Sequence, residues 1–159
     1  MSSIQTLHVK TCLFADEHSA ICQIREAVFQ QEQGIAAELD WDGLDDSAIH
    51  VLVQVRLEGQ GSYESVGGLR LREIAEEDGS QSSVLKLERL AILNPYRHQG
   101  LGSELVYTAI AYAQDQGYDY LVLHAQTISQ SFYEPLGFEP VGESFVEAGI
   151  SHIKMEQRL

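Results

Sequence analysis

The segment Arg97-His98-Gln99-Gly100-Leu101-Gly102, of the form R-x-x-G-x-G, lies between an apolar run that ends at Asn94-Pro95 and an amphipathic run that starts at Gly102. A strand, a glycine turn and a helix in this order form an anion-binding site, because glycine lets the backbone approach closely and the first N–H groups of a helix lack internal acceptors. The positive end of the helix dipole adds to the attraction. The segment therefore predicts a phosphate-binding turn, and a pyrophosphate-bearing cofactor is its first candidate ligand.

The apolar periodicity predicts an α/β (α+β) fold with a mixed sheet of about seven strands and about four flanking helices. Residues 51–57 alternate as a strand and a turn at 59–62 joins them to a second run at 66–74, so the front half of the sheet is expected to be antiparallel. The uninterrupted apolar run 120–124 is typical of a strand that is buried on both faces. Further strands are expected near 7–9, 84–93, 141–146 and 153–157, and helices at about 19–31, from Gly102 onward and at 129–136.

The composition restricts the classes of partner. With 159 residues, of which 44% are hydrophobic and 21% charged, the chain is expected to form a single domain over 1–159. Its formal charge of −14 argues against a nucleic-acid partner. The acidic surface either attracts small cationic substrates or serves only to keep the protein soluble, and the sequence supports both explanations equally. The N-terminus lacks a signal-peptide pattern and no run approaches the roughly 20 apolar residues of a membrane span, so we expect a cytoplasmic protein without a membrane partner.

Two segments around the glycine turn carry a family resemblance. The turn is preceded by the strand sequence E-R-L-A-I at 88–92 and followed about 30 residues later by F-Y-E-P-L-G-F at 132–138. Together they resemble the GNAT superfamily of acyl-CoA-dependent N-acetyltransferases, and the order of elements extends this resemblance to nearly the whole chain. More narrowly, Arg25, Val28-Phe29 and Glu32-Gln33, with Phe145, the E-x-G-I-x-H segment at 147–152 and Met155, are similar to the ElaA-like branch.

The resemblance implies acetyl-CoA as co-substrate and a transfer of its acetyl group to an amine. It implies that the pyrophosphate contacts backbone N–H groups of the turn and that strand backbone groups pair with the pantetheine arm. The implied cofactor-binding residues are Leu90, Ala91, Ile92, Arg97, His98, Gln99, Gly100, Leu101, Gly102, Ser103 and Phe132.

Attack of a neutral amine on a thioester requires a proton acceptor, a donor to the developing oxyanion and an acid for the departing thiolate. The resemblance implies that Tyr133 is the acid and that a strand N–H, such as that of Leu90, is the oxyanion donor. The alternative is that Tyr133 has only a packing role. Glu88 is our candidate base. The alternative is that Glu88 is a carboxylate paired with an arginine, and the competing base is then a water chain that ends at Glu32, His50 or His152.

The ElaA-like matches also suggest an acceptor site. We expect Glu32, Gln33, His50, Glu147 and His152 to converge over the acceptor, although for each histidine a structural hydrogen-bonded role is the alternative. His124 and Gln126 at the end of the central strand line the acetyl channel, or Gln126 caps the helix near Ser129. Residues 38–46 form an acidic loop, which either receives a cationic acceptor or is a solvated charge run. Its acidic residues are Glu38, Asp40, Asp42, Asp45 and Asp46, beside Trp41.

These features and the resemblance together predict an N-acetyltransferase that moves the acetyl group directly to a primary amine of a small molecule, with a peptide or protein amine as the alternative acceptor. Neither Cys12 nor Cys22 lies near the cofactor motifs, so no acyl-enzyme is expected, and the histidine spacing predicts no metal site. A non-catalytic acyl-CoA-binding domain is the alternative. A doubly wound nucleotide-binding domain disagrees with the antiparallel hairpin before the turn. A homodimer through the final strands is possible for such a domain.

Overall fold

Seven strands and four α-helices follow one another in the computed structural model, which describes residues 3–76 and 78–159. The strands are β1 (Ile4–Leu13), β2 (Ile49–Leu57), β3 (Glu64–Ile74), β4 (Val84–Ile92), β5 (Tyr120–Gln126), β6 (Glu139–Glu147) and β7 (Ile150–Arg158). The helices are α1 (His18–Arg25), α2 (Ala37–Asp40), α3 (Leu101–Asp115) and α4 (Gln130–Tyr133). The predicted mixed sheet and helix number are confirmed.

The sheet has the order β1-β2-β3-β4-β5-β7-β6, and only β4 and β5 are parallel neighbours. The antiparallel front half is therefore confirmed, and β5 is an interior strand between β4 and β7, as its apolar sequence indicates. The parallel ladder joins only Val84–Leu87 to Tyr120–Leu123. Beyond these pairs the two strands separate, and an opening forms within the sheet.

Helices cover the two faces of the sheet unequally. The main core packs α3 against β2 to β5, with Leu87, Leu105 and Leu123 at most 3% exposed. A second cluster packs α1 residues Ile21 and Ile24 against the other face. Because side chains alternate along a strand, residues that neighbour Leu87 and Leu123 in sequence point to the face opposite α3.

Strand β4 carries a β-bulge at the opening. Arg70 pairs with Glu88 and Gly68 pairs with Ala91, so two residues of β4, Arg89 and Leu90, lie opposite one residue of β3. Arg89 has φ +60°, which is unusual for a residue with a side chain. Bulges of this kind interrupt the ladder and redirect backbone groups, and they are frequent beside active sites.

Two helices differ from their expected form. The first continues beyond α1 as a π-helix over Glu26–Glu32, and the expected helix at 129–136 is α4 flanked by 3-10 turns at Thr127–Ser129 and Glu134–Leu136. Pro135 lies inside the second of these turns, where it lacks the N–H that a continuing helix would use. Among the described residues no helix is long and apolar enough to cross a membrane.

Candidate active site

The opening between β4 and β5 forms a cavity of about 350 Å³. From the α3 side it is lined by Phe132 and Tyr133, and from β7 by Ile150 and His152. The end of the π-helix contributes Phe29 and Gln33, and the short α2 contributes Leu39 and Asp40. The cavity therefore joins the two faces of the sheet.

The glycine turn lies at the α3 end of this region and is exposed. Gly100 has φ +79° immediately before α3, a conformation that glycine adopts without steric cost. The first helical hydrogen bond runs from Glu104 N–H to the Gly100 carbonyl, so the N–H groups of Leu101, Gly102 and Ser103 have no acceptor within the helix. A Cβ on Gly102 would lie 3.2 Å from Phe132 Cζ, so this glycine also allows close packing. These features fit a diphosphate.

Arg97 is held within the protein. Its Nε donates to the Ile92 carbonyl at 2.9 Å, and its Nη atoms contact Glu32 at 2.8 and 3.0 Å. The predicted acceptor residue Glu32 therefore lies beside the glycine turn, and it is absent from the cavity lining. Its neighbour Gln33 does line the cavity and accepts a hydrogen bond from Gln126 at 3.1 Å.

The backbone of β4 runs along the cavity between the bulge and the glycine turn. Leu90 lines the cavity, whereas Ala91 is 3% exposed and packs against the α1 cluster. The Ile92 carbonyl already accepts from Arg97. Of the three strand residues implied for the pantetheine arm, Leu90 is thus the one whose side chain borders the cavity.

Tyr133 is buried between the rings of Phe132 and Phe138, which approach it edge to face. Burial raises the pKa of its phenol well above the ordinary value. The hydroxyl therefore stays protonated at neutral pH and can donate a hydrogen bond or a proton into the cavity.

Glu88 lines the cavity but is surrounded by cations. Its carboxylate lies 3.0 Å from Arg70, 3.2 Å from an Arg72 nitrogen and 3.5 Å from Lys86 Nζ. Burial acts to raise its pKa, but the Arg72 hydrogen bond and the charges of Arg70 and Lys86 outweigh burial and lower the pKa to about 2. A carboxylate of this kind accepts a proton poorly at neutral pH. The contacts correspond to the arginine-paired alternative.

A second polar group lies on the β7 side of the cavity. His152 Nδ1 lies 2.7 Å from the Ile150 carbonyl, which can only accept, so Nδ1 carries the hydrogen and Nε2 of the neutral ring has a free lone pair. Glu147 Oε2 is 3.8 Å from His152 Nε2, and Glu147 Oε1 is 3.4 Å from His124 Nδ1. All three side chains line the cavity.

His50 lies elsewhere, in the buried ionic cluster beneath α1. It is 2% exposed and its Nε2 is 3.1 Å from the Asp45 carbonyl, and burial lowers its pKa. It does not line the cavity. The structure therefore brings Gln33, Glu147 and His152 together and leaves Glu32 and His50 outside this group.

The acidic loop is neither a free cation site nor a fully solvated charge run. Asp40 and Asp45, 2% and 5% exposed, both pair with Arg25, which also lies 4.1 Å above the Trp41 ring. Asp42 pairs with Arg70, whose hydrogen bond leads the causes that lower the Asp42 pKa. Ion pairs thus fasten the loop over the sheet.

Sequence reasoning missed the cavity-lining role of Lys86, Arg89 and Leu39 and the ionic cluster around Arg25. One signal was present, because Arg25 follows Ile21 and Ile24 on the apolar face of the first helix. A charged residue at such a position requires a buried partner. The acidic loop that follows supplies the partners.

Comparison with known proteins gives consistent matches. A family model described as "Acetyltransferase (GNAT) domain" matches residues 74–159. The uncharacterized N-acetyltransferase YjcF of Bacillus subtilis is 33% identical over 133 residues, which cover 83% of this chain and 86% of YjcF.

Two crystal structures extend the similarity to the front of the chain. An acyl-CoA N-acyltransferase from Pseudomonas aeruginosa superposes with a TM-score of 0.76 at 28% identity and covers 96% of this chain and 99% of that chain. Escherichia coli ElaA superposes with a TM-score of 0.76 at 25% identity and covers 96% of this chain and 100% of ElaA. The predicted similarity to ElaA is confirmed.

Proposed function

The chain belongs to the GNAT family of acetyltransferases, and from this premise we propose that it moves the acetyl group of acetyl-CoA directly to a primary amine of a small molecule. The observation that carries the proposal is the cavity through the sheet between β4 and β5. Tyr133 borders the cavity on the α3 side, where the glycine turn also lies, and Glu147 and His152 border it on the β7 side. A donor and an acceptor can therefore approach each other from opposite sides.

The residues of the glycine turn fit the diphosphate of the co-substrate. The N–H groups of Leu101, Gly102 and Ser103 would hold its oxygens, with His98 and Gln99 beside them. The pantetheine arm would follow Leu90 to Ile92 towards the cavity, with Phe132 alongside. Bound acetyl-CoA supplies an activated acyl group that an amine can attack. Arg97 fixes the turn against Ile92 and Glu32.

We propose His152 as the group that accepts the amine proton. The Ile150 carbonyl fixes the hydrogen on Nδ1, which leaves a free lone pair on Nε2, and His152 lines the cavity. Glu147, 3.8 Å from Nε2, would stabilise the imidazolium that forms. A neutral imidazole with a free lone pair can act as a general base. Glu88, with its pKa of about 2, then serves to hold Arg70, Arg72 and Lys86.

Tyr133 supplies the proton at the other end of the transfer. Its Oη would donate to the sulfur that leaves as the new carbon–nitrogen bond replaces the carbon–sulfur bond. The raised pKa keeps the phenol protonated until the sulfur acquires negative charge. Solvent protons restore Tyr133 after the product leaves.

The experiment is a transfer assay against a panel of primary amines with wild-type protein, Tyr133→Phe and a control, Tyr107→Phe. Tyr107 is 53% exposed on α3 and is absent from the cavity lining. Tyr133→Phe is expected to lower kcat about a hundredfold or more, because general acid catalysis typically accelerates a reaction by that factor. The Kd of acetyl-CoA should change little. Tyr107→Phe should keep the wild-type rate.

An unchanged kcat in Tyr133→Phe would refute the acid role. Binding of acetyl-CoA without transfer to any amine would support a non-catalytic acyl-CoA-binding domain instead. The cytoplasm, which supplies acetyl-CoA and free amines, remains the proposed location. A homodimer stays a prediction that sedimentation measurements can test.

A further inference from the structure

The side of the cavity that faces away from α3 is strongly charged. Lys86 and Glu88 alternate with the core residue Leu87 on β4, and His124 follows the core residue Leu123 on β5. These polar side chains therefore lie on the face opposite the glycine turn. An acceptor entering from this face meets them before it reaches Tyr133.

The ionic cluster on this face has an uncompensated positive charge. Within residues 3–76 and 78–159, its ion pairs connect five cationic side chains to only four carboxylates. The cations are Arg25, Arg70, Arg72, Lys86 and Arg89, and the carboxylates are Asp40, Asp42, Asp45 and Glu88. Asp40, Asp42 and Asp45 of the loop are all paired with arginines, so these three carboxylates do not offer a site to a cationic amine.

Lys86 is the cation with the least satisfied charge. Its ion pair with Glu88 spans 3.5 Å, and Glu88 is already bonded to Arg70 and Arg72. Arg89, the other cation in the cavity lining, contacts both Asp40 and Asp42. Because an ammonium group has three donors, Lys86 keeps hydrogen-bonding capacity at the cavity wall.

A negatively charged side chain lines the same cavity as Lys86. Glu147 is about half exposed and contacts only the two histidines, and no ion pair within 4.0 Å joins it to Lys86 in the described part of the chain. Hydrogen bonding from His124 lowers the pKa of Glu147, and the positive charge of Lys86 lowers it further. Lys86 and Glu147 therefore interact electrostatically although they form no ion pair. Such a pair is complementary to a molecule that carries both charges.

We propose that the acceptor is a zwitterion of the amino-acid type, whose carboxylate binds Lys86 Nζ while its amine lies between Glu147 and His152. The inference deepens the proposed function and rests on it. The ammonium form is attracted by Glu147, and loss of its proton to His152 Nε2 prepares the attack. Charge-assisted contacts at both ends orient the amine towards the opening between β4 and β5.

The test compares each amino acid with the amine obtained by removing its carboxylate. We expect the wild-type kcat/KM to be at least tenfold higher for the amino acid, and Lys86→Met to reduce this ratio at least tenfold, mainly through the KM of the amino acid. Lys86→Arg, which keeps the charge, should restore most of the ratio. Lys10→Met is the matched control, because Lys10 lies on the far edge strand β1 and pairs with Glu17.

The outcomes separate the two proposals. Acetylation of amines with no dependence on the carboxylate, or an unaltered ratio in Lys86→Met, overturns the zwitterion inference and leaves the proposed transferase intact. Absence of transfer to both kinds of acceptor overturns both. A thermal melt shows whether Lys86→Met is misfolded. If it is, the ratio is measured instead with Lys86→Arg and with wild-type protein at high salt, and these values decide whether the inference holds.

Discussion

Replacement of Glu88 by glutamine separates a structural anchor from a general base. Glutamine keeps the shape of the side chain but removes the negative charge that Arg70, Arg72 and Lys86 share. Arg70 is fully buried and would keep only Asp42 and Asp45 as anionic partners. We therefore expect Glu88→Gln to destabilise the fold.

The magnitude follows from the pKa of Glu88, which folding lowers from 4.5 to about 2. Each pKa unit corresponds to roughly 1.4 kcal/mol, so the ionised side chain stabilises the protein by about 3 kcal/mol at neutral pH. This contribution is complete above pH 4.5 and is lost as the pH falls through about 2. At about pH 3 it should be reduced to about 1 kcal/mol.

Urea denaturation of wild-type protein and Glu88→Gln at several pH values measures this difference. The single Trp41 reports unfolding, because its ring packs on the guanidinium of Arg25. The free energies of unfolding of the two proteins should differ by about 3 kcal/mol at neutral pH and converge on acidification. Glu143→Gln is the control, since Glu143 is exposed on β6 and should change the free energy by less than about 0.5 kcal/mol.

The kinetics of the same variants distinguish an anchor from a base. If Glu88 is an anchor, Glu88→Gln retains a measurable kcat whose pH profile keeps the shape of the wild-type profile. If the variant is as stable as the wild type at all pH values but has lost kcat, Glu88 is the base and the assignment of His152 is wrong.

Two further predictions concern the base and the glycine turn. His152→Gln is expected to lower kcat/KM about a hundredfold at neutral pH and progressively less at alkaline pH, where the amine loses its own proton; a pH-independent deficit in the rate profile would contradict the base role. Gly100→Ala should cost about 1 kcal/mol in urea denaturation because of its φ of +79°, although its Cβ meets no atom within 4 Å. Gly102→Ala should cost less, since its backbone is helical and only Phe132 must shift, and the reverse order would contradict this account.

The strands and the glycine turn could be predicted because their signals are local. Alternation at 51–57 and the apolar run at 120–124 depend on neighbouring residues, and the structure contains both strands. The ionic cluster depends on contacts between distant residues. Arg70 alternates with Leu69 and Leu71 as a solvent-facing residue would, but the loop at 40–45 covers it.

The acceptor site shows the same limit on a smaller scale. Glu32 and Gln33 are adjacent in sequence, yet Glu32 contacts Arg97 and Gln33 lines the cavity, because the π-helix ends between them. Family resemblance identifies such residues together, but only their side-chain directions separate a residue that steadies the turn from one that faces the acceptor. His50 is a similar case. It lies on strand β2, as its sequence position predicts, but its side chain lies beneath α1 and contacts the Asp45 carbonyl.

The strongly acidic composition and the binding of anions are compatible because the basic residues are concentrated at the site. Of the ten lysines and arginines, five belong to the cluster beside the cavity and Arg97 lies at the glycine turn. Four carboxylates neutralise most of the cluster and leave an excess of one positive charge, and Lys86 of this cluster lines the same cavity as Glu147. A net charge of −14 at long range would by itself favour cations, whereas a local pair of opposite charges would favour a molecule that carries both signs of charge. The zwitterionic acceptor that we propose therefore follows from this local pair and not from the net charge of the chain.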